Sequence, residues 1–419
     1  MYNTIINKKT IHFDILYITL LVFISFDTTR SSLNLNSFLN EFLSISKEVI
    51  LLLLILFIVL KNKKVKEIKI DRSLFFFLFL FVYIIISLPI SFFNGVNLFI
   101  SIRQFYNYIL PFFLIYVFWN LESVSSLTYK KCLKVLIYLH LILFFSSVYA
   151  YFIRPSFINR IYFNRISIGN PSTTSFLYIL LFISIYFFNN IFKNVIVYYS
   201  IIILLFLAIL FTLSSTALFS IFLLFNLGFI ISFVYYRSFH QFRINSLVLF
   251  IIITIITILL LTFFWQELNP IYNYFIHRLE NLIQVIEVKL GMEKENIRST
   301  SYSLRQKQFQ TVIRNMDKYY FLSGLGSSGY LKFTNLLENQ YYALLANYGL
   351  FGLISYIMAL ISTSIYGLKK KNIYGLLLFF LNIIMSLYSM TLEIFICFSQ
   401  IAFYSFFFSY YLQKSKNIN

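Results

Sequence analysis

LFFFLFLFVYIIISLPISFF, residues 74 to 93, contains no Asp, Glu, Lys, Arg or His. A helix of this length rises about 30 Å, the thickness of a bilayer's hydrocarbon core. A helix on the surface of a soluble domain would show a polar face at 3.6-residue spacing, and this run has none. Similar runs occur at 195–213, 247–264 and 394–411. Across the chain 60% of residues are apolar and 12% charged, against about 25% charged in globular domains. That much hydrocarbon cannot be hidden from water by folding alone. Hydropathy predicts about 12 spans, near 11–26, 42–60, 74–93, 104–121, 135–152, 174–188, 195–213, 216–236, 246–265, 341–366, 373–388 and 394–411. The expected fold is an all-α, polytopic membrane helix bundle with one large external loop containing amphipathic helices.

The formal charge of +19 would suggest nucleic acid in a soluble protein. Here Lys and Arg lie between apolar runs, so they report topology and not a nucleic-acid partner. Lys61, Lys63, Lys64, Lys66, Lys69 and Arg72 crowd one short connection, and Lys369, Lys370 and Lys371 another. Both are expected in the cytoplasm, with the N-terminus on the same side. The first apolar run lacks a small-residue cleavage pattern and reads as the first span. Cys132 and Cys397 fall in or beside spans and read as buried thiols. Asp occurs at 14, 27, 71 and 317 only, which leaves no DxD motif. His12, His140, His240 and His277 lack ligand spacing. No metal or cofactor is expected.

The predicted organisation is an N-terminal membrane bundle over 1–265 with about nine spans, an external loop over 266–340, and C-terminal spans over 341–419. Within the loop, Ile271, Phe275, Leu279, Leu282, Ile286 and Leu290 form one apolar stripe at helical spacing. After a polar break at Gly291–Ser301, Phe309, Val312, Ile313 and Met316 form a second stripe, with Lys307, Gln310, Arg314 and Lys318 on the wet face. One turn back from Phe309 is Arg305, which therefore points toward protein. An inward guanidinium needs an anionic partner: a loop carboxylate such as Glu280, or a phosphate. SGLGSSGY, residues 323–330, follows as a flexible turn that either reverses the chain or cradles phosphate through its N–H groups. Glu338 and Asn339 then open a helix in which Gly349 and Gly352 permit close packing.

An inward Arg305, the Gly324-x-Gly326 turn, then Glu338-Asn339-Gln340-Tyr341 through Leu345, Gly349 and Gly352 resemble the bacterial O-antigen ligase and polymerase (Wzy-like) superfamily. IRQFYNYILPF around Arg103 and FNRISIGNPST around Arg165 and Asn170 resemble earlier segments of that family. Ligases of the family carry His-Asn where this chain has Glu338-Asn339, and Ser-Arg where it has Ser214-Ser215. The resemblance therefore favours the polymerase branch. It implies a metal-independent glycosyltransferase of the cytoplasmic (inner) membrane that joins O-antigen or capsular repeat units carried on undecaprenyl pyrophosphate. Membrane lipid and a chain-length regulator protein are the further partners it implies.

In that chemistry a sugar hydroxyl attacks the anomeric carbon of the growing chain and undecaprenyl pyrophosphate leaves. The leaving group needs fixed positive charge. Arg305 and Arg278 are the catalytic candidates for it, with Arg103 and Arg165 as binding candidates, because Arg matches phosphate oxygens with a planar fork. Glu338 is the candidate base, with Glu393 as runner-up, and a helix-capping role is the alternative for Glu338. Asn170, Gly326, Asn339 and Tyr341 complete the expected binding set. A ligase, or a lipid-linked oligosaccharide flippase, would share the hydropathy. The flippase would not need the long loop.

Overall fold

The computed structural model describes residues 2–30, 37–60, 74–153, 170–187, 191–227 (except 213, 215, 218, 222 and 225), 300–334 (except 317) and 337–417. Arg165, Arg278, the helix expected over Ile271–Leu290, the span expected near 246–265 and the Lys-rich connection at 61–72 lie outside these residues. The described residues are mostly helical, with no strand among them. They form α1 (Tyr2–Arg30), α2 (Ser37–Leu60), α3 (Phe75–Phe93), α4 (Leu98–Trp119), α5 (Leu121–Val124), α6 (Tyr129–Ile153), α7 (Pro171–Phe187), α8 (Val195–Thr212), α9 (Thr300–Arg314), α10 (Lys318–Ser323), α11 (Gln340–Lys369), α12 (Ile373–Ser389) and α13 (Phe398–Asn417). Short 3₁₀ turns occur at Gly329–Lys332 and Ile394–Ile396. Six helical stretches are long and apolar enough to cross a membrane: Glu41–Leu60, Phe75–Phe93, Leu98–Trp119, Tyr129–Ile153, Val195–Thr212 and Gln340–Lys369. The protein is a helical, multi-pass membrane protein.

A helix start leaves its first N–H groups without an intrahelical partner, and a side chain can close them locally. Asn does this repeatedly. The Asn97 side chain accepts from Phe99 and Ile100, Asn170 from Ser172, Asn194 from Ile196, Asn339 from Tyr341 and Tyr342, and Asn372 from Gly375. At α7 the cap is followed by Pro171, whose missing N–H is no loss in the first turn.

The described residues group into two compact units, one of residues 1–143 with 302–419 and one of residues 144–301. In the first, α4 and α13 run parallel. Ser405, Ser409 and Gln413 reach the carbonyls of Pro111, Ile115 and Trp119, advancing four residues per step on both helices. The Tyr17 hydroxyl ties α1 to α4 at the Val117 carbonyl (2.9 Å). Lys47 on α2 pairs with Asp27 on α1 at 2.9 Å and lies 4.6 Å above the Phe398 ring. Asp14 accepts from Ser125 and Ser126. Tyr404 and Thr363 meet at the Asn382 amide, joining α11, α12 and α13.

In the second unit α7 packs on α8. The Tyr198 hydroxyl donates to the Tyr186 carbonyl (3.2 Å), and Phe182 meets Phe206.

Residues 302–340, expected as part of an external loop, belong by packing to the first unit. Their apolar side chains explain this. Val312, Leu325, Tyr330 and Leu337 are buried together with Ala343 and Ala346 of α11, and Met316 packs against them. Gly349 also does more than allow close packing. Its φ of 62° and ψ of −166° break the helix within α11, and no side chain fits there, since the Leu322 carbonyl oxygen lies 2.2 Å from where a Cβ would be.

Candidate functional site

The first turn of α11 organises the site. Asn339 caps the helix with its side-chain oxygen and donates from Nδ2 to the Met390 carbonyl at 2.9 Å. Gln340 is fully buried and uses its main-chain N–H on the Leu392 carbonyl (3.1 Å), its Oε1 on the Phe395 N–H (3.0 Å) and its Nε2 toward the Tyr108 hydroxyl (3.4 Å). Two adjacent residues thereby fix the α12–α13 connection, residues 390–397, against α11.

That connection carries Glu393, which is 3% exposed. Its Oε1 accepts from Tyr108 at 2.8 Å and from Gln104 Nε2 at 3.0 Å, and its Oε2 accepts from Tyr330 at 2.9 Å. The donors come from α4 and the Gly329–Lys332 turn, all are neutral, and Glu393 is in none of the ion pairs found among the described residues. Burial pushes the Glu393 carboxyl up to about 7, against three hydrogen bonds that pull it down. Burial, and then the charge on Glu393, raise the Tyr330 phenol. Gln104 is oriented by the same network, since its Oε1 accepts from Ser328 at 2.7 Å while its Nε2 faces Glu393.

The SGLGSSGY turn is woven into this end of the bundle. Gly324 and Gly326 both have φ of +83°, and a Cβ on Gly326 would meet Ser91 N at 2.4 Å. Here glycine is required by close approach. The Leu325 and Gly326 N–H groups donate to the Ala346 and Asn347 carbonyls (2.9 and 2.8 Å), which the break at Gly349 exposes to them. Asn94 and Tyr83 of the α3 region bind the Leu325 and Ser323 carbonyls. A phosphate cradle at Gly326 would need the N–H that Asn347 already takes. Gly326 therefore serves packing in this arrangement.

Above the turn lies α9. Phe309 stacks on Tyr342 with centroids 3.9 Å apart, and Val312 is buried, as the stripe in the sequence predicts. Arg305 faces the same way and pairs with Glu338 at 3.3 Å, the two side chains being 23% and 38% exposed. Its partner is thus the residue just before the α11 cap. The Arg305 Nε is buried without a hydrogen-bond partner, so the guanidinium keeps a spare donor.

The chain matches no protein-family model and no curated protein.

Of the residues singled out in the sequence, Arg305, Glu338 and Asn339 come together at the start of α11. Arg103 is exposed on α4 beside Gln104. Tyr341 uses its hydroxyl on Ser386, at 2.7 Å from Oγ and 3.0 Å from the carbonyl. Asn170 caps α7 in the other unit. Gln104, Tyr108 and Tyr330 have no role expected from the sequence, and Gln340 enters there only as part of the family pattern. The first two are four residues apart on one helical face, a signal that was present but had no partner in sequence to give it meaning.

Proposed function

We propose that this protein is a membrane glycosyltransferase that polymerises oligosaccharide repeat units carried on undecaprenyl pyrophosphate, for O-antigen or capsule, at the outer side of the cytoplasmic membrane. The reading includes a bundle of about 12 spans with residues 266–340 on the outer side. It is supported by the resemblance of the Arg305, Gly324-x-Gly326 and Glu338-to-Gly352 elements to the Wzy-like superfamily. The observation that carries it is the half-buried Arg305–Glu338 pair, with a spare guanidinium donor, at a helix start in a membrane bundle.

Arg305 binds the pyrophosphate of the donor lipid. Two anions then compete for one guanidinium, and phosphate offers the better fork geometry. Glu338 released from the pair is free to take the proton of the acceptor hydroxyl. That hydroxyl oxygen bonds to the anomeric carbon, the bond from that carbon to the pyrophosphate oxygen breaks, and the electron pair leaves with undecaprenyl pyrophosphate. Arg305 stabilises the charge that develops there. Arg278, Arg103 and Arg165 are the further cations of this reading. Glu393 is too deeply buried to reach a sugar and supports the residues that do.

Purified protein given undecaprenyl-pyrophosphate oligosaccharide should lengthen the glycan by whole repeat units, without nucleotide sugar and in the presence of a chelator. Transfer to a different lipid acceptor would replace this reading with a ligase. Movement of intact substrate between leaflets would replace it with a flippase.

A further inference from the structure

The connection between α3 and α4 is the most exposed apolar segment in the described chain. Phe93 is 90% exposed and Phe99 81%, and Phe92, Leu98, Ile100 and Ile102 are exposed beside them. In water such a patch would be a liability. Its position explains it. Leu78, Val82, Ile85 and Ile86 are exposed along α3 at helical spacing and lead directly to Phe92 and Phe93. The lip is thus the end of a lipid-facing stripe, where hydrocarbon gives way to headgroups.

Two cations flank it. Gly95 turns the chain at φ +66° with nothing beside it except Lys332, whose Nζ lies 3.8 Å from where a Cβ would be. Ser328, which precedes the 3₁₀ turn carrying Lys332, bonds the Ile100 carbonyl at 3.2 Å. Arg103 is exposed one turn further along α4. The ion pairs among the described residues include neither cation. The first N–H groups of α4 are not part of this positive edge, because Asn97 already takes them.

We propose that the α3–α4 turn is a docking site for an anionic phospholipid of the bilayer, with Phe93 and Phe99 among the acyl chains and Lys332 on the headgroup phosphate. Continuity with the lipid-facing stripe, together with unneutralised positive charge at its end, carries the assignment. It does not depend on the catalytic reading, since any bilayer with acidic lipid would fill the site.

The test uses the full-length protein purified in neutral detergent and titrated with phosphatidylglycerol or phosphatidylcholine under native mass spectrometry. Wild type should retain phosphatidylglycerol in preference. Lys332→Gln should weaken that retention by about fivefold, the loss expected for one interfacial cation, and Lys332→Arg should restore it. Phe93→Ser with Phe99→Ser should weaken retention of both lipids. Melting of each sample checks that these exposed changes leave the fold intact. Equal retention of the two lipids by wild type, or unchanged phosphatidylglycerol retention in Lys332→Gln, would overturn the proposal.

Discussion

Glu338 and Glu393 both lie against the first turn of α11, yet they live in different electrostatic worlds. Glu338 is 38% exposed and faces a guanidinium. Glu393 is 3% exposed and faces two phenols and an amide. A carboxylate with a cation at its side and water in reach can exchange partners, whereas one held by three neutral donors can only accept a proton or keep its place. Position beside α11 does not set the role of either group. The neighbours do.

The largest effect expected of this contrast is on rate. Glu338→Gln should lower polymer formation by about a hundredfold or more, the usual worth of a general base, with the protein still folded. If Glu393→Gln lowers it further while leaving stability unchanged, the two roles are reversed. Arg305→Lys should cost about a hundredfold in the same ladder assay, because an ammonium does not reproduce the fork. Wild-type ladder length in that variant would remove Arg305 from the reaction.

On stability the order inverts. The Glu393 carboxyl binds its proton more tightly in the folded protein, at about 7 against an ordinary value of 4.5. Linkage then places its stabilising contribution below pH 4.5 and removes it as pH rises to about 7, with a total of about 3 kcal/mol as an upper bound. Melting in detergent should therefore fall between those pH values, and Glu393→Gln should flatten the curve. Glu393→Ala should destabilise by about 2 kcal/mol below pH 4.5, since it strands the Tyr108, Tyr330 and Gln104 donors, and the deficit should shrink as pH rises to about 7 because the variant has no carboxyl to titrate. The smallest effect belongs to Glu338→Gln, which should shift stability by less than about 1 kcal/mol because its ion pair is part-exposed. A larger shift would mean that the pair holds α9 in place.

The sequence announced whatever depends on neighbours in the chain. The run at 74–93 carried its own length argument, and α3 occupies Phe75–Phe93. The spacing of Arg305 from Phe309 and Val312 put the guanidinium on the inner face, where it meets Glu338. The cage around Glu393 could not be read this way, because its donors stand 289, 285 and 63 residues away. Gly349 was visible as a small residue, but the Leu322 carbonyl that leaves no room for a side chain there is brought up only by the folded chain. The choice between the two readings of the glycine turn was closed to the sequence for the same reason: the Leu325 and Gly326 N–H groups go to carbonyls of α11 that lie more than twenty residues away.

The ladder between α4 and α13 joins residues that are always 294 apart in sequence. On a ribosome adding about 5 to 20 residues per second, α4 would wait about 15 to 60 s for the partner that covers its carbonyls. Tyr108 and Gln104, on that same helix, gain Glu393 only in this final interval. The nascent protein must therefore hold a helix with two unpartnered polar side chains in or near the insertion machinery long after its own synthesis, and chains arrested before residue 393 should leave α4 open to protease or to insertion chaperones. Release of α4 from such factors before α13 emerges would show that another segment covers it first.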